Sequence, residues 1–160
     1  MTGEKGSMNR VTGRRALVTG GSGGIGADIA RALAEEGADV AVQWHRNQSE
    51  ADKIVVIVDK LGKKTFAVQA DLQDPKSVRA MRDLLHDKFG KIDVLINCAG
   101  INRDSLFSRM TDEQWEEVIQ VNLSGVYHCT KAFVEEIVDS GRAASSTSRA
   151  SSARWATSGR

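Results

Sequence analysis

Apolar and polar positions along this chain follow two alternating rhythms. Short apolar runs at Arg15–Thr19, Asp39–Trp44, Thr65–Gln69 and Ile92–Asn97 read as buried strands. Longer segments between them repeat at helical spacing. Gly24–Glu36 places Ile25, Ile29, Ala32 and Leu33 on one face, and Gly37 follows as a stop. Ser49–Leu61 carries Ile54, Ile57, Val58 and Leu61 at helical spacing before Gly62. Its β-branched run Ile54–Val58 also suits a strand, so propensity alone leaves both readings open. Asp74-Pro75 opens a helix with proline in its first turn, running to about Phe89 before Gly90. Thr111-Asp-Glu-Gln114 has capping-box spacing and starts a helix expected to run to about Val138.

Strands alternating with helices of this length predict right-handed βαβ units. The expected fold is α/β, a Rossmann-type doubly wound parallel sheet, incomplete at about four strands. A ligand belongs at the carboxyl ends of those strands. The pattern occupies residues 12–141, preceded by a flexible terminus at 1–11. Composition then changes abruptly. Residues 142–160 contain six Ser, five Ala and four Arg, with no Ile, Leu, Val, Phe, Asp or Glu. That stretch has neither rhythm and is expected to be a disordered tail.

Composition narrows the function classes. The 160 residues are 41% apolar and 27% charged, as in a soluble globular domain. Lys and Arg number 22 against 21 Asp and Glu, a net charge of +1. Such balance gives no global pull toward nucleic acid or an anionic membrane. The Ser/Arg tail has no aromatic stacking pattern, so no nucleic-acid partner is expected. No apolar run is long enough to span a bilayer, and the first residues lack a secretory pattern. Cys98 and Cys129 are too few for a disulfide framework, so a reducing cytoplasm is the expected location. Neither shares metal-ligand spacing with His45, His86 or His128, so no metal site is expected.

The candidate chemistry follows the first strand, in Thr19-Gly20-Gly21-Ser22-Gly23-Gly24-Ile25-Gly26. The run reads as G-x-G-x-x-G through Gly21, Gly23 and Gly26, or as T-G-x-x-x-G-x-G through Thr19, Gly20, Gly24 and Gly26. Glycines there permit a tight turn and close backbone approach to a pyrophosphate seated on the helix N-terminus. An ordinary Gly-rich turn is the rival reading. The second strand ends in Gln43-Trp44-His45-Arg46, where an NAD site would carry an acid on the ribose. His45 and Arg46 can instead meet a 2′-phosphate, which favours NADP(H) over NAD(H). Otherwise Arg46 is simply solvated.

The glycine run together with Asn97-Cys98-Ala99-Gly100 resembles the short-chain dehydrogenase/reductase family, over about residues 12–141. Asp71-Leu72 matches the family's adenine-contacting Asp, and Asn122 matches the Asn of its long fourth helix. Within the family, Asn97–Ala132 looks most like 3-oxoacyl-acyl-carrier-protein and acetoacetyl-CoA reductases. The resemblance implies cofactor contacts at Gly20, Ser22, Gly23, Gly24, Ile25, Gly26, His45, Arg46, Asp71, Leu72, Asn97, Ala99 and Gly100. It implies a catalytic part for Asn122, whose backbone holds a water in a proton relay. It further implies hydride reduction of a small-molecule 3-oxoacyl thioester carried on acyl-carrier protein or CoA, in a cytoplasmic homotetramer. Another alcohol or ketone is the alternative substrate.

Two departures stand out. Gly23 occupies a position where NADP-dependent members often carry Arg. More seriously, the family's catalytic Ser and Tyr-x-x-x-Lys should follow residue 141, and nothing there matches them. The single tyrosine, Tyr127, does stand four residues before Lys131, but on the same helix as Asn122 and without a Ser partner. It reads as packing and surface charge rather than catalysis. Back-translated with suitable third bases and read two bases late, Ala144–Ser148 becomes Ile-Ile-Asn-Ile, like the family's fifth strand. The expectation is therefore a shifted frame near codons 141–144, a chain without catalysis, and aggregation instead of a defined tetramer.

Overall fold

The computed structural model describes residues 11–140 and the backbone of 144–147. Four strands, β1 (Arg15–Thr19), β2 (Asp39–Trp44), β3 (Thr65–Gln69) and β4 (Val94–Asn97), form a parallel sheet in the order β3-β2-β1-β4. Leu17 of β1 pairs with Ala41 on one side and Leu95 on the other. The helices are α1 (Gly24–Glu35), α2 (Gln48–Lys60), α3 (Pro75–Lys88), α4 (Asp112–Ile119) and α5 (Gly125–Asp139).

Both sheet faces are covered, as a parallel sheet requires. Period-two alternation divides each strand between two cores. Val18, Val40 and Val42 pack with Ala30, Ala34, Ala51 and Val58 from α1 and α2. Leu17, Ala41, Val68 and Leu95 pack with Met81 and Leu85 of α3 and with Cys129, Phe133 and Ile137 of α5. The ambiguous segment at Ile54–Val58 is helical. Its Val58 is fully buried against the sheet while Val56 is half-exposed, the one-sided burial of a helix.

Local chemistry accounts for the helix starts. The Asp74 carboxylate accepts the Lys76 N–H at 2.8 Å, one residue ahead of Pro75. Thr111 and Gln114 exchange backbone and side-chain hydrogen bonds at 3.1 and 3.3 Å, completing the capping box.

Three expectations need correction. The segment at Ala144–Thr147 is a fifth strand, β5, parallel to β4 from Val94↔Ala144 to Asn97↔Thr147. The unpaired edge of β4 supplies a backbone ladder that does not depend on apolar periodicity. Residues 141–143 and 148–160 of the expected tail lie outside the described residues, as do residues 1–10. The helix expected from Thr111 to Val138 is not uniform, because Gln120–Ser124 forms a π-helical turn between α4 and α5. Finally, β4 begins at Val94 instead of Ile92, whose N–H is taken by Glu136 Oε2 of α5 at 3.0 Å.

Candidate dinucleotide site

The strand order changes direction between β1 and β4, so their outgoing loops part at a crevice. Thr19 at the end of β1 faces Asn97 at the end of β4. The buried Thr19 hydroxyl accepts the N–H groups of Cys98 at 3.1 Å and Ala99 at 3.2 Å. One side chain thereby staples the glycine loop to the second loop.

Close approach explains two of the glycines. Gly20 has φ +63°, and a Cβ there would lie 2.7 Å from the Ala99 Cα. A Cβ on Gly26 would overlap the Gly20 carbonyl, because the first turn of α1 presses directly on the loop. Gly23 differs. Its backbone is extended at φ −167°, and a Cβ would meet open space. Gly23 caps α1 without a side-chain hydrogen bond, which leaves the helix N-terminus to offer its N–H groups to an anion.

A cavity of about 300 Å³ opens above this loop. Its lining includes Gly20, Ser22, His45, Arg46, Asp71, Leu72, Ala99 and Gly100. Eight of the expected cofactor residues are therefore brought together from the ends of β1, β2, β3 and β4. His45 Nε2 lies 3.8 Å from Asp71 Oδ2. The Asp71 carboxylate accepts the Gln73 N–H at 3.0 Å, while its own N–H donates to Ser77 Oγ at 2.9 Å. Those bonds hold the turn after β3 in place beside Leu72.

The remaining expected residues do not line the cavity. Gly23, Gly24, Ile25 and Gly26 shape the loop and the start of α1, and the Ile25 side chain is half-exposed. Asn97 is buried beneath the crevice, where its Nδ2 donates to Thr130 Oγ1 at 3.3 Å. Its Oδ1 finds no hydrogen-bond partner among the described residues. Asn122 sits in the π-helical turn and grips Ile101, accepting the Ile101 N–H and donating to its carbonyl, both at 2.8 Å. Ile101 in turn lines the cavity. Asn122 thus shapes the wall through another residue.

Several wall residues escaped the sequence reading. Gln43 is buried in β2 and accepts the Gly20 N–H at 2.9 Å. Its amide donates to the carbonyls of Trp44 at 2.9 Å and Ala70 at 2.8 Å. A lone amide at the end of the apolar run Val40-Ala-Val42 was the available signal. Arg103 and Glu117 also line the cavity, joined by two hydrogen bonds of 2.7 Å. The bonds from Arg103 are the main reason the Glu117 carboxyl is held below its ordinary range. Burial opposes them, and the charges of Arg103 and then Arg46 add to them. Their sequence separation gave no sign of the pairing.

Tyr127 and Lys131 do meet, with Lys131 Nζ donating to the Tyr127 oxygen at 3.1 Å. They line a separate groove against α3, which shares no lining residue with the first cavity. Among the described residues no group of His, Cys, Asp and Glu could hold a metal ion, and no helix is long and apolar enough to cross a membrane.

The family's sequence model, described as short chain dehydrogenase, matches residues 14–158. The chain belongs to the short-chain dehydrogenase family. It is 45% identical over 116 residues to the 3-oxoacyl-[acyl-carrier-protein] reductase FabG of Staphylococcus aureus, covering 72% of this chain and 47% of that one. The 3-oxoacyl-[acyl-carrier-protein] reductase of Synechocystis is 44% identical over 125 residues, covering 78% and 51%. Among solved structures, a short-chain dehydrogenase from Burkholderia cenocepacia in complex with NADP superposes with a TM-score of 0.75 at 40% identity, covering 79% of this chain and 51% of that one. An alcohol dehydrogenase from Thermococcus sibiricus complexed with 5-hydroxy-NADP superposes with a TM-score of 0.78 at 30% identity, covering 84% and 57%. This short-chain dehydrogenase spans about half the length of the curated relatives it matches.

Proposed function

We propose that this chain is the dinucleotide-binding part of an NADPH-dependent reductase of 3-oxoacyl thioesters. The observation that carries the reading is the cradle itself. Ala99 excludes a side chain at Gly20, the Gly20 carbonyl excludes one at Gly26, and Arg46 stands on the rim of the same cavity. These residues fit a dinucleotide. The N–H groups of Gly20–Gly26 and the start of α1 would hold the pyrophosphate. Arg46, with His45, would hold the 2′-phosphate by a charge-assisted bond. Asp71 and Leu72 would bound the adenine, and Ala99, Gly100 and Ile101 would form the opposite wall. Residues 12–141 carry this whole assignment.

A bound dinucleotide would supply the hydride for reduction of a 3-oxo carbon. The chain's own residues bind and orient it, and Asn122 keeps the wall at Ile101 in register. The substrate class rests on the similarity to acyl-carrier-protein reductases. Tyr127 lines the groove beside α3 and not the cavity, so it is not placed to donate a proton there. The described residues accordingly bind the dinucleotide without turnover. Exposed Leu123 in the π-helical turn and Val134 and Val138 on α5 support assembly of copies through that face.

Differential melting with and without NADPH, alongside an assay of acetoacetyl-CoA reduction, tests this reading. The expected result is a melting temperature raised by NADPH with reduction at background. No shift would remove the binding assignment. Turnover within the usual range of about 1–10³ per second would remove the claim that catalysis is missing.

A further inference from the structure

We infer that the groove between α3 and α5 is a second anion site, built for a small organic phosphate. The groove encloses about 310 Å³, comparable with the dinucleotide cavity, and the two share no lining residue. Arg79 and Arg82 enter it from α3, and Lys131 enters from α5. Among the described residues no carboxylate lines it. Arg82 is partly neutralised by Asp83 at 2.7 Å, whereas Arg79 and Lys131 have no acid partner among the described residues. Cations of one sign in a low-dielectric concavity concentrate the field on whatever anion enters.

The hydrogen-bond inventory points the same way. Lys131 Nζ donates to the Tyr127 oxygen at 3.1 Å. With that oxygen accepting, the Tyr127 hydrogen is left to donate elsewhere. Lys131 retains two further N–H donors, and the Arg79 guanidinium offers a fork. The His128 Nδ1 lies 2.9 Å from the Leu72 carbonyl, which can only accept, so Nδ1 carries the hydrogen and fixes the ring. With Nδ1 donating to Leu72, Nε2 of the neutral ring is an acceptor, so the donors facing a phosphate come from Arg79, Arg82, Lys131 and the Tyr127 hydroxyl. Beneath the cations lie Val78, which is buried, and Ala132. An apolar floor beside a cationic rim matches a phosphate that carries a carbon skeleton, rather than a free ion.

The inference stands apart from the dinucleotide reading, and one titration separates them. Phenyl phosphate and inorganic phosphate are each titrated into the ¹⁵N-labelled full chain, and amide shifts are followed. Phenyl phosphate should move the amides of Val78, Arg79, Lys131 and Ala132, and bind at least fivefold more tightly than inorganic phosphate. Arg79→Ala with Lys131→Ala should weaken it at least tenfold, and Tyr127→Phe alone by severalfold. Arg46→Ala should leave it unchanged. Shifts confined to Gly20–Gly26 would overturn the inference while supporting the dinucleotide cradle. An affinity unaltered by Arg79→Ala with Lys131→Ala, or equal affinities for the two phosphates, would also overturn it.

Discussion

The Asn122 side chain holds both backbone polar groups of Ile101, its Oδ1 accepting the N–H and its Nδ2 donating to the carbonyl, each at 2.8 Å. An amide pinned across a peptide unit in this way copies one rung of a sheet ladder. It ties the loop after β4 to the π-helical turn. Asn122→Leu keeps the volume but strands both groups in a half-buried place. Each unsatisfied group costs about 1–3 kcal/mol. At roughly 2–4 °C per kcal/mol for a chain of this size, the melting temperature should fall by several degrees. Asn122→Asp should fall as well, since its second oxygen faces a carbonyl. An Asn122→Leu protein as stable as the original would show that the grip is incidental.

The glycine loop makes a graded prediction. Gly26→Ala forces a methyl group into the Gly20 carbonyl, and Gly20→Ala meets the Ala99 backbone from a left-handed φ. Overpacking of this kind costs about 1–3 kcal/mol. Gly23→Ala meets open space at an extended φ and should leave stability unchanged. Urea midpoints for the three variants check the order. Equal losses at all three positions would contradict the close packing of Gly20 against Ala99 and of Gly26 against Gly20.

Glu117 predicts an acid-sensitive loop. Its folded pKa is depressed, chiefly by the Arg103 hydrogen bonds, so the pairing favours folding above the ordinary glutamate pKa and is lost as pH falls through the lower folded value. A carboxyl NMR titration should place the Glu117 midpoint below that of an exposed glutamate. Arg103→Ala should return it upward. A Glu117 midpoint unmoved by Arg103→Ala would break the assignment.

Cys129 is fully buried on the inner face of α5, and burial pushes its thiol up to about 12. The thiolate is the reactive form, so alkylation at pH 8 should be negligible in the folded chain. Labelling followed by peptide mass analysis across a urea series should show Cys129 reacting only as the chain unfolds.

Much of the architecture was legible because it depends on local rhythm. The bounds of β1, β2 and β3 agree with the apolar runs, and the Asp74-Pro75 and Thr111–Gln114 starts are encoded in neighbouring residues. The π-helical turn was not legible, since Gln120–Ser124 carries ordinary helical residues. Distant contacts mark it instead: the Asn122 bonds to Ile101, and Gly125, where a Cβ would lie 3.1 Å from the Leu72 Cβ. Likewise β5 rests on the edge offered by β4, not on any alternation in Ala144-Ser-Ser-Thr147. At the cavity, the lining residues expected at strand ends came from motif. Gln43 and the Arg103–Glu117 pair were missed because their partners are remote in sequence.

The most direct test of the central claim is a calorimetric titration of NADPH and NADH into the original chain and Arg46→Ala. Arg46 lines the cavity at the end of β2, where a charge-assisted bond to a 2′-phosphate is worth about 1.5–3 kcal/mol. NADPH should therefore bind at least tenfold more tightly than NADH. Arg46→Ala should erase most of that difference and leave NADH binding nearly unchanged. Equal affinities in the original chain, or a preference for NADH, would contradict the account.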